Sequence, residues 1–163
     1  MPTQFFPPLV GDNPRTLILG TFPSPLSRER GEYYGNPRNQ FWRLLFGAFG
    51  APFDCPDYQK KKAVLFANGI ALWDVVSTCE PEGALDTELK RLVYNKELPD
   101  FIAKHGIQNV FFNGNNAYLF TKRGKTGSLE RNVLPSSSPA NARMRFEEKL
   151  RLWRDALGGF ALE

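Results

Sequence analysis

The run Thr16–Gly20 (TLILG) indicates how this chain folds. It is apolar without a polar alternation, and three similar runs follow it, at 70–76 (IALWDVV), 109–113 (NVFFN) and 132–134 (NVL). Unbroken apolar runs of this length are typical of strands covered on both faces. The sequence therefore predicts four buried strands.

Helical patterns lie between the predicted strands. Apolar residues recur at helical spacing over 41–48, 98–105 and 146–157, and Gly50, Gly106 and Gly158 can end these helices. A weaker helix is indicated at 57–69, where three consecutive lysines would face solvent. Alternating strands and helices predict an α/β fold, a parallel sheet with helices on both faces. The length of 163 residues fits one domain, 1–163.

Composition excludes several classes of protein. The net charge of +4 is compatible with a polyanionic partner but does not select one. Two cysteines without C-x-x-C spacing indicate a reduced, cytoplasmic chain, and with one histidine they make no zinc or iron–sulfur site. The sequence has no apolar run of about eighteen residues and no signal-peptide pattern at its N-terminus, so we expect no membrane association.

Small, hydroxyl and amide residues follow the predicted strands, at 21–24 (TFPS), 114–116 (GNN) and 135–141 (PSSSPAN). Parallel α/β sheets bind ligands beyond the carboxyl ends of their strands, so these segments should meet at one edge. Their N–H and hydroxyl groups suit an anion, although Ser138 or Asn141 could equally cap the last helix. Asp74 lies inside the second run and needs a partner or a place near the strand end, so we regard it as a supporting residue.

The segment 33–42 (YYGNPRNQFW) places four aromatic residues and two asparagines beside a turn. Packing of a core helix would explain Phe41 and Trp42. It does not explain Asn36 and Asn39, because amides are poor core residues without partners. This segment therefore indicates a site that uses both stacking surface and amide groups.

Taken in order, these motifs resemble the uracil-DNA glycosylase superfamily over nearly the whole chain. LILGTFPS is similar to its first motif, and YYGNPRNQFWRLL is similar to the Pro-x-Asn-x-Phe-Trp segment of its mismatch-specific and hypoxanthine branches. GIALWDVVSTCEPEGALD, VFFNG and VLPSSSPAN resemble the segments around the other strands. The hypoxanthine (deoxyinosine) branch is the most similar. The resemblance implies a three-layer α/β/α sandwich with a central four-stranded parallel sheet, no metal and no cofactor.

The first motif departs from the mismatch-specific pattern. Those relatives carry a water-positioning Asn in the form Gly-x-Asn-Pro-Gly, whereas this chain reads GTFPS and has Phe22 at the Asn position. Uracil excision by that arrangement is therefore in doubt. In the hypoxanthine branch the resemblance implies that the critical Asn lies in the later segment, at Asn39.

The implied activity is that of a monofunctional DNA glycosylase, which flips a damaged nucleotide out of the helix and hydrolyses its N-glycosidic bond. We expect Asn39 to position the water. Phe41 is the expected stacking face at the position of the family's stacking Phe, Phe22 and Tyr34 are expected to wall the pocket, and Asn113 is expected to contact the base.

The segment 135–141 (PSSSPAN), called the serine-rich loop below, should hold the phosphates beside the flipped nucleotide. The expected DNA contacts are Ser24, Ser136, Ser137, Ser138, Asn141 and Arg143. We expect a monomer acting on DNA with a deaminated base, hypoxanthine first. Two alternatives stay open: a glycosylase of the same fold for uracil, mismatched thymine or an alkylated purine, and an inactive module that binds damaged DNA. A third, an unrelated flavodoxin-like or Rossmann-type protein, is disfavoured because no G-x-G-x-x-G follows the first strand.

Overall fold

The computed structural model describes residues 3–4, 6–80, 91–124 and 129–161. A four-stranded sheet lies at its centre, made of β2 (Thr16–Gly20), β3 (Ile70–Asp74), β6 (Asn109–Asn113) and β7 (Val133–Leu134). The strands follow the order β3-β2-β6-β7, and all neighbours are parallel. The prediction of a central four-stranded parallel sheet is confirmed.

Helices cover both faces of this sheet. They are α1 (Pro25–Arg30), α2 (Phe41–Ala48), α3 (Tyr58–Ala67), α4 (Leu98–His105), α5 (Asn115–Gly124) and α6 (Phe146–Ala161). Among the elements described, α2, α3, α4 and α6 match helical patterns of the sequence. The helix α6 continues past Gly158, where the sequence predicts its end. The short helices α1 and α5 have no clear apolar periodicity and were not predicted.

Strand β2 shows why the apolar run is unbroken. All five of its residues are buried. Ile18 packs into a cluster with α2, α3 and α6, including Trp153, while Leu17 and Leu19 pack into the opposite cluster with α4 and α5. Successive side chains of a strand point to opposite faces, so a sheet covered on both sides needs apolar residues throughout.

The run 70–76 is interrupted, which the sequence does not predict. Strand β3 ends at Asp74, and β4 (Val76–Glu80) begins a separate antiparallel sheet with β1 (Thr3–Gln4) and β5 (Arg91–Tyr94). The corner is fixed by Val75 N–H donating to Gly20 O at 2.9 Å and by Asn95 Nδ2 donating to Asp74 O at 2.9 Å. Asp74 therefore lies at a strand end, which is one of the two ways in which the sequence allows for its charge.

The described residues contain neither a candidate membrane span nor a candidate metal cluster. No described helix has the length and apolar character needed to cross a bilayer. Within the same part of the chain, no group of three or more His, Cys, Asp or Glu side chains is arranged to hold a metal ion.

Candidate active site

A cavity of about 1410 Å³ opens at the carboxyl ends of the four parallel strands. Each strand contributes a lining residue at its last position: Gly20, Asp74, Asn113 and Leu134. The segments 21–24, 33–39 and 135–141 supply most of the remaining wall. The structure thus brings together at one edge the polar segments that follow the strands.

Aromatic packing fixes the loop before α2. Tyr34 has a positive φ of 54°, and its ring lies parallel to that of Phe41, with 4.0 Å between ring centroids and an interplanar angle of 11°. Trp42 Nε1 donates to Tyr33 O at 2.9 Å, and Tyr33 Oη donates to Pro7 O at 2.9 Å. These contacts hold the Tyr34 ring between Phe41 and the cavity.

Phe41 occupies a different place from the one expected of a base-stacking face. Its side chain is fully buried, packs edge-on against Trp42 and Trp153, and does not line the cavity. Phe41 is the first residue of α2, and the buried side of that helix turns it towards the core. Tyr34, expected as a wall, lines the cavity instead, together with Phe22, Tyr33 and Phe120.

Asn39 lines the cavity and is partly exposed. Its Oδ1 accepts a hydrogen bond from Phe41 N at 2.9 Å, and its own N–H donates to Asn36 O at 2.9 Å. The side chain therefore satisfies one orphan N–H at the start of α2, which fixes its orientation. A carbonyl oxygen has a second lone pair, so Oδ1 can still accept a hydrogen bond from water.

Asn113 is engaged with the serine-rich loop. Its Nδ2 donates to Ser137 Oγ at 2.9 Å, and its Oδ1 accepts from Ser137 N at 3.0 Å. Ser137 is fully buried, unlike its neighbours Ser136 and Ser138. This pair anchors the loop to β6, and the Asn113 amide makes these two bonds in addition to lining the cavity.

The other expected DNA contacts lie around the cavity mouth, with one exception. Ser136 Oγ accepts from Ser138 N and Ser138 Oγ accepts from Ala140 N, so both hydroxyl protons remain available for an anion. Asn141 Nδ2 donates to Ser136 O at 3.1 Å. Arg143 is exposed but does not line the cavity.

Ser24 has a local structural role. Its Oγ accepts from Ser27 N at 3.2 Å and caps α1. Arg131 is exposed, lines the cavity, and donates to Asn115 Oδ1 at 2.8 Å. The sequence does not single out Arg131, because a lone arginine two residues before a short strand carries no pattern.

Asp74 is the functional candidate that sequence reasoning undervalued. It is 4% exposed, lines the cavity, and its Oδ2 has no hydrogen-bond partner among the described residues. Desolvation by burial raises the pKa of this carboxyl to about 7. The available signal was an isolated acidic residue in an apolar run, a position where charge is costly and often functional.

Gly20 makes room for this arrangement. A Cβ at position 20 would lie 2.7 Å from Asp74 Oδ1 and 2.8 Å from Tyr34 Oη. Any side chain there would displace two polar groups at the cavity floor. The glycine therefore allows the carboxyl and the phenol to converge over the end of β2.

The chain is similar to known proteins over most of its length. Residues 7–157 match the family model described as "Uracil DNA glycosylase superfamily". The chain is 37% identical over 147 residues to a hypoxanthine DNA glycosylase of Methanosarcina barkeri, covering 88% of this chain and 90% of the relative. It is 37% identical over 140 residues to a hypoxanthine DNA glycosylase of Methanosarcina acetivorans, covering 85% and 87%.

A solved structure shares the fold. The solution NMR structure of a Methanosarcina acetivorans protein, described as a provisional uracil DNA glycosylase, superposes with a TM-score of 0.74 and 33% identity. The alignment covers 97% of this chain and 99% of that one. The central sheet and its helices thus belong to a fold seen by experiment.

Proposed function

Since this chain belongs to the uracil DNA glycosylase superfamily, we propose that it excises hypoxanthine from DNA by hydrolysing the N-glycosidic bond. The chain is a DNA glycosylase, and its substrate is DNA with a damaged base. The activity named for the two Methanosarcina relatives supports the choice of base. The observation that carries the proposal is an oriented Asn39 carboxamide that lines the same cavity as Tyr34, where all four parallel strands end.

The cavity offers a flipped base an aromatic surface. An enzyme that breaks the bond between a base and its sugar must take the nucleotide out of the stack. Tyr34 is the proposed stacking ring, and Phe41 supports it from behind at 4.0 Å between centroids. Phe22 lines the same cavity as a second apolar wall.

Asn39 is the proposed water-positioning residue. Cleavage of the C1′–N bond builds positive charge on the sugar and negative charge on the departing base. A neutral amide cannot deprotonate water at pH 7, but the second lone pair of Oδ1 can orient a water molecule for attack. Because Oδ1 is fixed by the 2.9 Å bond from Phe41 N, the bound water needs little further ordering.

The mouth of the cavity suits the DNA backbone. We propose that the Ser136 and Ser138 hydroxyls donate to phosphates flanking the flipped nucleotide, with Asn141 beside them. Arg143 and Arg131 are the proposed cationic contacts on either side, and both are exposed. We propose that the hydrogen bonds between Ser137 and Asn113 hold the serine-rich loop against the end of β6, next to the flipped base.

Oligonucleotides that carry hypoxanthine, uracil, mismatched thymine or no lesion test this function. We expect the wild-type protein to release hypoxanthine and to leave an abasic site that breaks only after alkali. We expect Asn39→Ala to lower the single-turnover rate 10²–10³-fold, about 3–4 kcal/mol of barrier, since a positioned polar group of this kind contributes about that much.

The matched control is Asn13→Ala, an exposed asparagine outside the cavity. This variant should keep the wild-type rate. A folded Asn39→Ala protein with full activity would remove Asn39 from the mechanism. Release of uracil or thymine with hypoxanthine left intact would refute the proposed substrate.

A further inference from the structure

The carboxyl group of Asp74 has an unmet hydrogen-bonding requirement. The residue is 4% exposed, and its Oδ2 has no partner among the described residues. Burying an acceptor without a donor costs folding free energy, and more so when the group ionises. Oδ2 is enclosed by protein, whereas Oδ1 lies over Gly20 beside Tyr34 Oη in a side chain that lines the cavity, so Oδ1 is the oxygen that a ligand there can approach.

The groups around Asp74 do not neutralise it. The titratable side chains that face it are Tyr33 and Tyr34, and the negative charge of Asp74 raises the pKa of both phenols, after burial itself. The Tyr33 hydroxyl donates to Pro7 O at 2.9 Å instead. Desolvation raises the pKa of Asp74, and no lysine or arginine among the described residues lowers it. No described cationic side chain therefore offsets the charge of the Asp74 carboxyl, which stays able to accept a hydrogen bond from a ligand.

The backbone holds the carboxyl in place. Gly20 and Asp74 are register partners at the ends of β2 and β3, and the Asn95 side chain donates to Asp74 O at 2.9 Å. Asp74 Oδ1 and Tyr34 Oη lie within 3 Å of the same point above Gly20. A base stacked on Tyr34 would therefore have its edge near the carboxyl.

We propose that the Asp74 carboxylate recognises the flipped base by accepting the ring N–H that deamination creates. Deamination converts N1 of adenine, a hydrogen-bond acceptor, into the N1–H of hypoxanthine, and converts N3 of cytosine into the N3–H of uracil. Above the raised pKa of the carboxyl, its ionised form is only an acceptor, so it pairs with the N–H and repels the lone pair of the undamaged ring nitrogen. This inference rests on the proposed glycosylase function and adds a discriminating residue to it.

Acceptance of a ring N–H by Asp74 distinguishes hypoxanthine from adenine and uracil from cytosine. Guanine and thymine also carry a ring N–H, so other parts of the cavity must exclude these two bases. A site that offers a buried partner for an N–H discriminates strongly against an analogue lacking it, because the buried group is then left unpaired.

A two-way comparison tests the contact. Single-turnover kcat/KM is measured for hypoxanthine and for 1-deazahypoxanthine, in which C–H replaces N1–H, each divided by its uncatalysed depurination rate. We expect the wild-type protein to prefer hypoxanthine at least tenfold. Asp74→Leu, which removes the acceptor, should reduce this preference to less than about threefold.

Two further variants complete the design. Asp74→Asn keeps a carbonyl acceptor, so it should keep the preference of the wild-type protein. Asp155→Asn changes an exposed carboxylate that also lines the cavity, and it should leave the preference unchanged. Circular dichroism and thermal melting establish that each variant is folded.

Several results would overturn the inference. An Asp74→Leu protein that retains the tenfold preference would show that the carboxyl does not accept from N1–H. If Asp74→Leu lowers kcat/KM for both bases by the same factor, Asp74 acts in the chemical step or in folding instead. If Asp74→Leu does not fold, a wild-type protein that excises both bases equally would still refute the contact. Activity on uracil alone would refute the proposed function, and the pair uracil and 3-deazauracil would then test Asp74 separately.

Discussion

Tyr34 shows how single residues carry strain at this site. Its φ of 54° lies in the left-handed region, which costs a non-glycine residue about 1–2 kcal/mol. The parallel contact with Phe41 and the hydrogen bonds of the neighbouring Tyr33 offset that cost. The result is a ring held against the core on one face and turned to the cavity on the other.

Asp74 should lower the stability of the folded protein above neutral pH. Burial raises its pKa to about 7 from an ordinary value of 3.8. A raised carboxyl pKa means that ionisation opposes folding, so the penalty is absent below about pH 4 and grows as pH rises towards 7. We expect Asp74→Asn to increase the free energy of unfolding at pH 8 by on the order of 3 kcal/mol, and by less at pH 5.

Urea unfolding at the two pH values measures this difference. Asp100→Asn, an exposed carboxylate in α4, serves as the control, and its effect should not change with pH in this way. A gain for Asp74→Asn that is equal at pH 5 and pH 8 would mean that Asp74 is not buried as an ionisable group in solution. A gain at pH 8 would fit a residue retained for function at a cost in stability.

At the scale of elements, Ser137 links three parts of the fold. It bonds Asn113 at the end of β6, and its O accepts from Gln40 N at 3.0 Å, just before α2. Gln40 Oε1 in turn accepts from Lys149 Nζ of α6 at 2.8 Å. The position of the serine-rich loop is therefore coupled to that of Asn39, one residue before Gln40.

Gly114 allows this loop to approach β6. It has a φ of 94°, and a Cβ there would lie 3.0 Å from Ser136 Cβ. We expect Gly114→Ala to reduce stability by about 1–2 kcal/mol through its backbone and to lower the excision rate at least tenfold, because the loop must move away from the cavity.

Gly106→Ala is a matched control for this prediction. Gly106 also has a positive φ, of 63°, but no atom lies within 4 Å of its added Cβ. It should lose similar stability and keep its activity. Thermal melting and single-turnover excision separate the two effects, and equal activity losses in both variants would contradict a specific role for the loop contact.

At the scale of the whole molecule, the net charge of +4 is modest, so DNA affinity should depend on where the charges lie. We expect the logarithm of the affinity to fall linearly with the logarithm of salt concentration, because phosphate contacts release counterions. Arg131→Gln and Arg143→Gln should each reduce this slope by about 1.

Fluorescence anisotropy with a labelled duplex, from 50 to 300 mM salt, measures the slopes. Lys104→Gln serves as the control, because this exposed lysine lies on α4 outside the cavity and should not change the slope. Unchanged slopes for both arginine variants would mean that the DNA backbone does not pass the cavity mouth between these residues.

The sequence by itself determined the central sheet and the edge at which the site lies. TLILG and the three runs like it could be buried only in a sheet covered on both faces, and parallel strands bring their carboxyl ends together. The segment 33–42 likewise indicated a site, since Asn36 and Asn39 have no explanation as core residues, and both line the cavity. Periodicity and polarity are local properties, so they can be read without a structure.

Only the tertiary structure decided which ring and which carboxylate face the cavity. Phe41 and Tyr34 are both aromatic residues of one segment, and packing against Trp153 turned Phe41 inward while Tyr34 covered it. Asp74 became a cavity residue because the chain leaves β3 after it and starts β4, in a corner fixed by Gly20 and Asn95. These outcomes depend on contacts between residues distant in sequence, and no local pattern encodes the direction in which a side chain finally points.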